Sequence, residues 1–284
     1  MAKVGFVGIG AMGEAMAGHV LARDRDQVFV FDVRKEASAP LAAKGAKVVA
    51  DLAEMSRCAE IIIVMVVNDA QVIEVSRALS AGGRQGVLVA IAATVRPTTM
   101  LDVEKIVGAA GMRVIDAPVC WGLHGAREGK LASLCGGAAE DVEKARPVLE
   151  AYSRSVHHIG PLGKGQLAKA INNMLHWAHN VTNYEALLLA KRHGLDAQAL
   201  REVLLQCPAG NRTLEHWDKT LFTWPQKDME IVQELARQGD LVLPLFGQVD
   251  QLIRLFTPKA VKDLLHGESA PYLGRTFSAM EKSD

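Results

Sequence analysis

The eleven residues Lys3-Val4-Gly5-Phe6-Val7-Gly8-Ile9-Gly10-Ala11-Met12-Gly13 carry the pattern that decides the fold. Lys3 to Val7 is a short β-rich run, the glycines form a turn, and Glu14 to Arg23 takes up helical spacing. A second β-rich run, Val28-Phe29-Val30-Phe31, ends at Asp32, nineteen residues beyond Gly13. Strand, glycine turn, helix, strand and acid in that order predict a dinucleotide-binding unit. A bare G-x-G-x-x-G is a weak signal, because glycines often serve only as turns. The flanking strands and the acid at that distance make it specific. In such a unit Gly8, Gly10 and Gly13, with Ala11 and Met12 between them, let the backbone approach a pyrophosphate seated on the helix N-terminus.

Asp32 is placed to accept hydrogen bonds from a ribose 2′-hydroxyl and to repel a 2′-phosphate, which favours NAD. Arg34 and Lys35 stand close enough to receive that phosphate, so NADP stays open. They read equally well as solvated charges opening a helix.

Outward from this unit, strand candidates at Lys47–Val49, Ile61–Val67, Val87–Ile91 and Arg113–Ala117 alternate with helical stretches. That alternation predicts a mostly parallel sheet with helices on both faces. Two more strands, Leu131–Cys135 and Ser155–Ile159, flank a helix over Glu140–Ala151. After Gly160-Pro161 the β signal fades, and helices are expected at Asp196–Gln206 (Asp196 as N-cap), Lys227–Arg237 and Leu245–Phe256. The fold class is therefore α/β: a Rossmann-type doubly wound sheet in residues 1–162, then an all-α domain in residues 163–284. A long interdomain helix joins the two.

That helix is Gly163 to Arg192, with apolar residues at Leu167, Ala170, Ile171, Met174, Ala178, Val181 and Leu188. Lys169, Asn172, Asn173, His176, Asn180 and Asn183 share the opposite stripe, since steps of three, four, seven and eleven return to one side. Asn is a poor helix former, so four of them with one Lys predict a polar site lining a cleft. The plainer alternative is a hydrophilic face meeting water.

Formal charge balances at 32 basic and 32 acidic residues, so no global field draws the chain to nucleic acid or an acidic membrane. At 5% aromatic content there is no base-stacking platform. Cys58, Cys120, Cys135 and Cys207 form no C-x-x-C pair, which argues against zinc and a disulfide framework and suits a reducing cytosol. The longest apolar run, Ile61–Val67, is too short to span a bilayer, and no signal-peptide pattern opens the sequence. A cytoplasmic location is expected. No carboxylate pair, Ser-His-Asp set or metal-ligand spacing stands out, and Cys120 has no cationic neighbour in sequence to make it a reactive thiolate.

Four segments together resemble the β-hydroxyacid dehydrogenase family of the 3-hydroxyisobutyrate dehydrogenase type over nearly the whole chain. They are Gly5–Gly13; Asp116-Ala117-Pro118-Val119 with Gly122 and Gly125-Ala126; Gly163-x-Gly165-x-x-x-Lys169-x-x-Asn172-Asn173; and Lys227-Asp228. The resemblance implies that Lys169 is the catalytic general acid/base and that Asn173, one turn on, positions it and the substrate. It also implies that Thr94 lies near the nicotinamide and that Lys227 reaches the cofactor or substrate. Val66-Val67-Asn68, continued by Asp69-Ala70-Gln71, matches a cofactor-side loop and is most similar to members acting on four-carbon sugar acids such as threonate.

Where the family has Ser-Gly-Gly to grip a substrate carboxylate, this chain has Cys120-Trp121-Gly122. A thiol is the weaker donor. Trp121 either walls a pocket for a larger substrate or packs away as core. Ala93 replaces a common Ser, and Thr257–Gly267 lacks the family's late Gly-rich pattern. The expected reaction is NAD(P)-dependent hydride exchange with a small hydroxy acid or alcohol, by a homodimer or homotetramer. The alternatives are an imine reductase on the same scaffold, against which Lys169 counts, and a non-catalytic nucleotide-binding protein.

Overall fold

Continuous apolar runs such as Ile61-Ile62-Ile63-Val64 suit strands covered on both faces, because successive side chains point to opposite sides of a sheet. The computed structural model describes residues 2–23 and 26–280, and the chain divides into two compact units, Met1–Lys169 and Ala170–Asp284. The first unit runs β1 (Lys3–Val7), α1 (Ala11–Leu21), β2 (Gln27–Phe31), α2 (Ala39–Ala42), β3 (Lys47–Val48), α3 (Leu52–Cys58) and β4 (Ile61–Val64). It continues through α4 (Asp69–Ala81), β5 (Leu88–Ile91), α5 (Pro97–Gly108), β6 (Arg113–Asp116), β7 (Val119–Cys120) and α6 (Gly122–Arg127). Then come β8 (Leu131–Gly136), α7 (Ala139–Leu149), β9 (Ser153–Gly160) and the start of α8 (Lys164–Arg192).

The strands form one sheet in the order β3-β2-β1-β4-β5-β6-β8-β7, with β9 paired to β8. Neighbours from β3 to β6 are parallel, β8 is antiparallel to β6 and β7, and β9 is parallel to β8. Ile61 and Ile63 enter one core cluster with Phe6, Met16 and Leu88. Ile62 and Val64 enter the other, with Val7, Leu79 and Val103. Burying these four side chains stabilises the fold by about 6–12 kcal/mol relative to leaving them in water. Strand order reverses between β1 and β4, which opens a crevice at their carboxyl ends.

The predicted strand Ile61–Val67 stops at Val64. Val66 and Val67 prolong the apolar run, but Asn68 accepts a hydrogen bond from Gln71 N and caps α4, so the segment leaves the sheet as a loop. The two-residue β7 was not foreseen. It is too short to show a period.

The second unit is helical, as expected: the rest of α8, then α9 (Ala197–Leu204), α10 (Arg212–Glu215), α11 (Pro225–Gln238), α12 (Pro244–Ile253) and α13 (Pro258–His266). Asp196 caps α9 by accepting from Ala199 N, and Pro occupies the first position of α11, α12 and α13, where its missing N–H costs nothing. A small hairpin, β10 (Ala270–Tyr272) and β11 (Arg275–Phe277), ends the unit. Its turn residues, Leu273 and Gly274, both have positive φ. A leucine in place of the usual Asn or Asp hid that turn from the sequence. The core centres on Tyr184, whose ring lies tilted against Phe256 at 4.6 Å and meets Trp217 edge-on at 6.2 Å.

Helix α8 corrects two details of the predicted stripes. Ile171 is 49% exposed rather than buried, and Trp177, Tyr184 and Leu187 take the buried side. Half of the Asn stripe is interior to the second unit. Asn180 accepts from Trp217 Nε1 at 2.8 Å, and Asn183 exchanges hydrogen bonds with Asn211. Buried amides need partners, and these two find them among side chains of the helical core rather than in a cleft. No helix among the described residues is long and apolar enough to cross a membrane.

Candidate active site

Each glycine of the first turn has its own steric reason. Gly8 has φ +89°, and a Cβ there would meet Met65 O at 2.4 Å. On Gly13 a Cβ would stand 1.9 Å from Gly8 O, so α1 abuts β1. Above Gly10 there is nothing within 4 Å. Helix α1 starts directly after Gly10 with no side-chain cap, which leaves its first amides to an outside acceptor. The bare backbone at Gly10 and the uncapped amides of Ala11, Met12 and Gly13 fit a pyrophosphate. Asp32 Oδ2 accepts from Ile9 N at 2.7 Å, and Oδ1 accepts from Arg34 N at 2.9 Å. The acid therefore ties the turn to the end of β2, with the Arg34 side chain 62% exposed beside it.

The loops after β4 and β5 are laced together. Val66 is half-buried, and Val67 and Asn68 are exposed. Asn68 Oδ1 accepts from Gln71 N at 3.0 Å, while Gln71 Oε1 accepts from Val67 N at 2.9 Å. Asp69 accepts from Arg96 N and Nη1, both at 2.9 Å, and from Thr99 Oγ1 at 2.6 Å. Half-buried Thr94 sits between two residues gripped by Gln166: Val95 N donates to Gln166 Oε1 at 3.1 Å, and Gln166 Nε2 donates to Ala93 O at 2.8 Å. Arg96, Thr99 and Gln166 escaped the sequence reading. Gln166 lies inside the quoted Gly-x-Gly segment, but its partners are more than seventy residues away.

Asp116, at the end of β6 and fully buried, holds the first turn of α8. Its Oδ1 accepts from Gly163 N and its Oδ2 from Gln166 N, each at 2.7 Å. A carboxylate on the first amides of a helix is favoured by the helix dipole. Burial nonetheless pushes its carboxyl above the ordinary carboxylate range, against the pull of the Gly163, Gln166 and Gly165 amides. The glycines around it follow from close approach. A Cβ on Gly165 would meet Leu134 O at 2.2 Å and Asp116 Oδ2 at 2.7 Å, and a Cβ on Gly136 would meet Asp116 Oδ1 at 2.4 Å.

One turn beyond Gln166, the half-buried Lys169 reaches Cys120: Nζ donates to Sγ at 3.9 Å. Cys120, 9% exposed, thus has in space the amine neighbour that its sequence surroundings lack. None of the ion pairs among the described residues includes Lys169. Asn173 follows one turn later, buried, and its Oδ1 accepts from Asn172 Nδ2 at 3.1 Å. Trp121 adopts a left-handed backbone, φ +87°, ahead of Gly122 at φ +54°. Its ring lies under the Arg154 guanidinium at 4.3 Å and against the first core cluster.

In the second unit, Asp228 Oδ2 accepts from Trp177 Nε1 at 2.9 Å, so the acid of the Lys227-Asp228 pair anchors α11 to α8. His176 Nδ1 pairs with Thr213 Oγ1 at 3.1 Å, an internal contact of that unit. No group of three or more His, Cys, Asp or Glu among the described residues could hold a metal. A groove of about 550 Å³ along the outer side of α1, between Glu14, His19, Lys44 and Arg127, takes in only Ala11 of the predicted residues.

Residues 3–160 match the family model described as the NAD binding domain of 6-phosphogluconate dehydrogenase. Residues 163–270 match that of the NAD-binding region of NADP-dependent 3-hydroxyisobutyrate dehydrogenase. The mitochondrial 3-hydroxyisobutyrate dehydrogenase of Drosophila melanogaster is 35% identical over 71% of this chain, which spans 62% of that relative's length. An NAD-dependent L-serine dehydrogenase of Pseudomonas aeruginosa is 30% identical over 99% of this chain and 97% of its own. A Mycobacterium tuberculosis 3-hydroxyisobutyrate dehydrogenase solved with L-serine superposes with a TM-score of 0.82 at 26% identity, covering 89% of this chain and 93% of that one. A Streptomyces aurantiacus imine reductase, at 17% identity and a TM-score of 0.68 over 93% of this chain and 95% of its own, shares the fold alone.

Proposed function

Since the chain belongs to the β-hydroxyacid dehydrogenase family of NAD(P)-binding oxidoreductases, we propose that it interconverts a small hydroxy acid or related alcohol and its carbonyl product, with Lys169 as general acid/base. The observation that carries this is the placement of Lys169 Nζ beside Cys120, on a helix whose first turn is fixed by Asp116. The nicotinamide, when bound, supplies the hydride acceptor or donor. Gly8, Gly10, Ala11, Met12 and Gly13 would hold its pyrophosphate, Asp32 its ribose, and Val66, Val67, Asn68 and Thr94 the remainder. Lys227 joins that set on family resemblance.

In oxidation the substrate hydroxyl gives up a proton, and in reduction the new oxygen needs one. A lysine amine exchanges it in both directions. Asn173 supplies a neutral amide that orients substrate without adding charge. Cys120, Trp121 and Gly122 form the substrate-binding segment. Because a thiol donates weakly, recognition of a carboxylate there is reduced relative to a serine, and alcohols without a carboxylate enter the substrate range.

Asp32 supports NAD over NADP. Family models that end at 160 and begin at 163 support a division near residue 162, and the reading takes residues 1–162 as a cofactor domain and 163–284 as a helical substrate and oligomerisation domain. A cytoplasmic homodimer or homotetramer completes the reading.

Lys169→Ala should lower turnover by about 10²–10⁴-fold with NAD binding retained in titration calorimetry. The assay panel is 3-hydroxyisobutyrate, L-serine, 2-(hydroxymethyl)glutarate and 2-methylpropan-1-ol, each with both nucleotides. Near-normal turnover in the variant would remove Lys169 from the mechanism.

A further inference from the structure

The Cys120–Lys169 pair offers more chemistry than proton exchange with an alcohol. Cys120 ends β7 at the turn into α6, and its Sγ accepts from the Lys169 amine at 3.9 Å. Among the other cysteines, Cys58 is half-buried with no amine bonded to its sulfur among the described residues, Cys135 lies in the dry core, where burial pushes its thiol up to about 12, and Cys207 is exposed on the second unit. Among the described residues, Cys120 is the one cysteine whose sulfur meets a lysine amine. The proposed function, on which this inference rests, makes an aldehyde whenever the alcohol is primary. The carbonyl then lies within reach of a nucleophilic thiol and of a group that can both take and give a proton.

We propose that Cys120 is a covalent capture site for the aldehyde product. Lys169, as the free amine, takes the Cys120 S–H proton. The sulfur then forms an S–C bond to the carbonyl carbon, the C=O π pair moves onto oxygen, and the lysine ammonium returns the proton to that oxygen. The thiol adds across the carbonyl to give a thiohemiacetal, with nothing oxidised or reduced and no other reactant consumed. Capture retains a reactive aldehyde at the pair instead of releasing it.

The test uses the full chain without added nucleotide and isobutyraldehyde labelled with ¹³C at the carbonyl, followed by carbon NMR. A protein-bound signal in the saturated-carbon range is expected for the wild type and for Cys207→Ser, and its loss for Cys120→Ser. Lys169→Met should form the adduct at least tenfold more slowly. Persistence of the signal in Cys120→Ser, or its absence from the wild type at saturating aldehyde, overturns the proposal. So does borohydride trapping that links the aldehyde permanently to Lys169, because that marks an imine. Reduction of the same aldehyde by NADH, assayed separately, tells the two ideas apart. Turnover with no adduct overturns capture and leaves the dehydrogenase standing, while an adduct on Cys120 with no turnover supports capture and counts against the dehydrogenase.

Discussion

Replacing Gly165 with alanine tests whether the Asp116 clamp sets the position of Lys169. The added Cβ would lie 2.2 Å from Leu134 O, where ordinary contact begins at 3.4 Å, so the first turn of α8 must retreat by about 1.2 Å. None of the three crowding groups can swing away: Leu134 O and Gly136 N are backbone atoms of β8, and the Asp116 carboxylate is fixed by two amides. Lys169 sits one turn further along the same helix and inherits that shift. A misplacement of about 1 Å can cost about 10²-fold in rate, equivalent to about 2.7 kcal/mol of transition-state stabilisation. Overpacking would also lower stability by about 1–3 kcal/mol, against a helix-propensity gain of at most about 1 kcal/mol from alanine. The assay is kcat and KM for aldehyde reduction, followed by absorbance of the reduced cofactor, with nucleotide affinity from calorimetry. The expected result is a fall in kcat of about 10²-fold with nucleotide binding within about threefold of wild type. Gly108→Ala, where a Cβ meets nothing within 4 Å, is the matched control and should be neutral. A Gly165→Ala enzyme with kcat within threefold of wild type would show that the clamp does not position the lysine.

Asp116→Asn should change how stability responds to pH. Because the folded carboxyl lies above its ordinary range, its contribution is fully present below about pH 4 and is lost as pH rises through the raised value. Urea titrations of wild type and variant should therefore differ most in favour of wild type at the acid end, and a difference that grows with pH would refute this. Trp121→Gly trades relief of a left-handed backbone, about 1–2 kcal/mol, against loss of the Arg154 stack, about 0.5–1 kcal/mol, and of partial ring burial. A net loss under about 2 kcal/mol in chemical denaturation is expected, and a loss above about 4 kcal/mol would mean the ring holds more than the structure indicates. In a thiol titration at pH 8 under native conditions, Cys207 should react first and Cys135 not at all, since its thiol is pushed up to about 12 by burial. Rapid labelling of Cys135 would refute the packing around it.

The parts of the molecule visible in the sequence are those governed by short-range pattern. The run Lys3–Val7, the three glycines and Asp32 lie within one βαβ stretch, and each has a local steric or electrostatic reason. Helix α8 was visible from the long run after Gly165 without Gly or Pro. Asp116 was quoted only as part of a motif, and its task was hidden because Gly163 and Gln166 lie about fifty residues away. The same holds for the Lys169–Cys120 contact and for Gln166 on Ala93 and Val95. The Asn stripe misled for a different reason: periodicity tells which residues share a side, but not whether core amides or solvent await them. Asn180 meets Trp217 and Asn183 meets Asn211, both through pairings between distant segments.

The debt that Asp116 owes to Gly163 and Gln166 bears on anyone trimming this protein. Stopping translation after Leu162, where composition changes, would strip a sealed-in acid of both amide donors and leave Ala93 O and Val95 N without the amide of Gln166. The shortened product would keep every strand of its sheet and still lack the groups that cover and hold this acid. An amino-terminal half meant to survive alone has to borrow the opening turns of the helix that follows it.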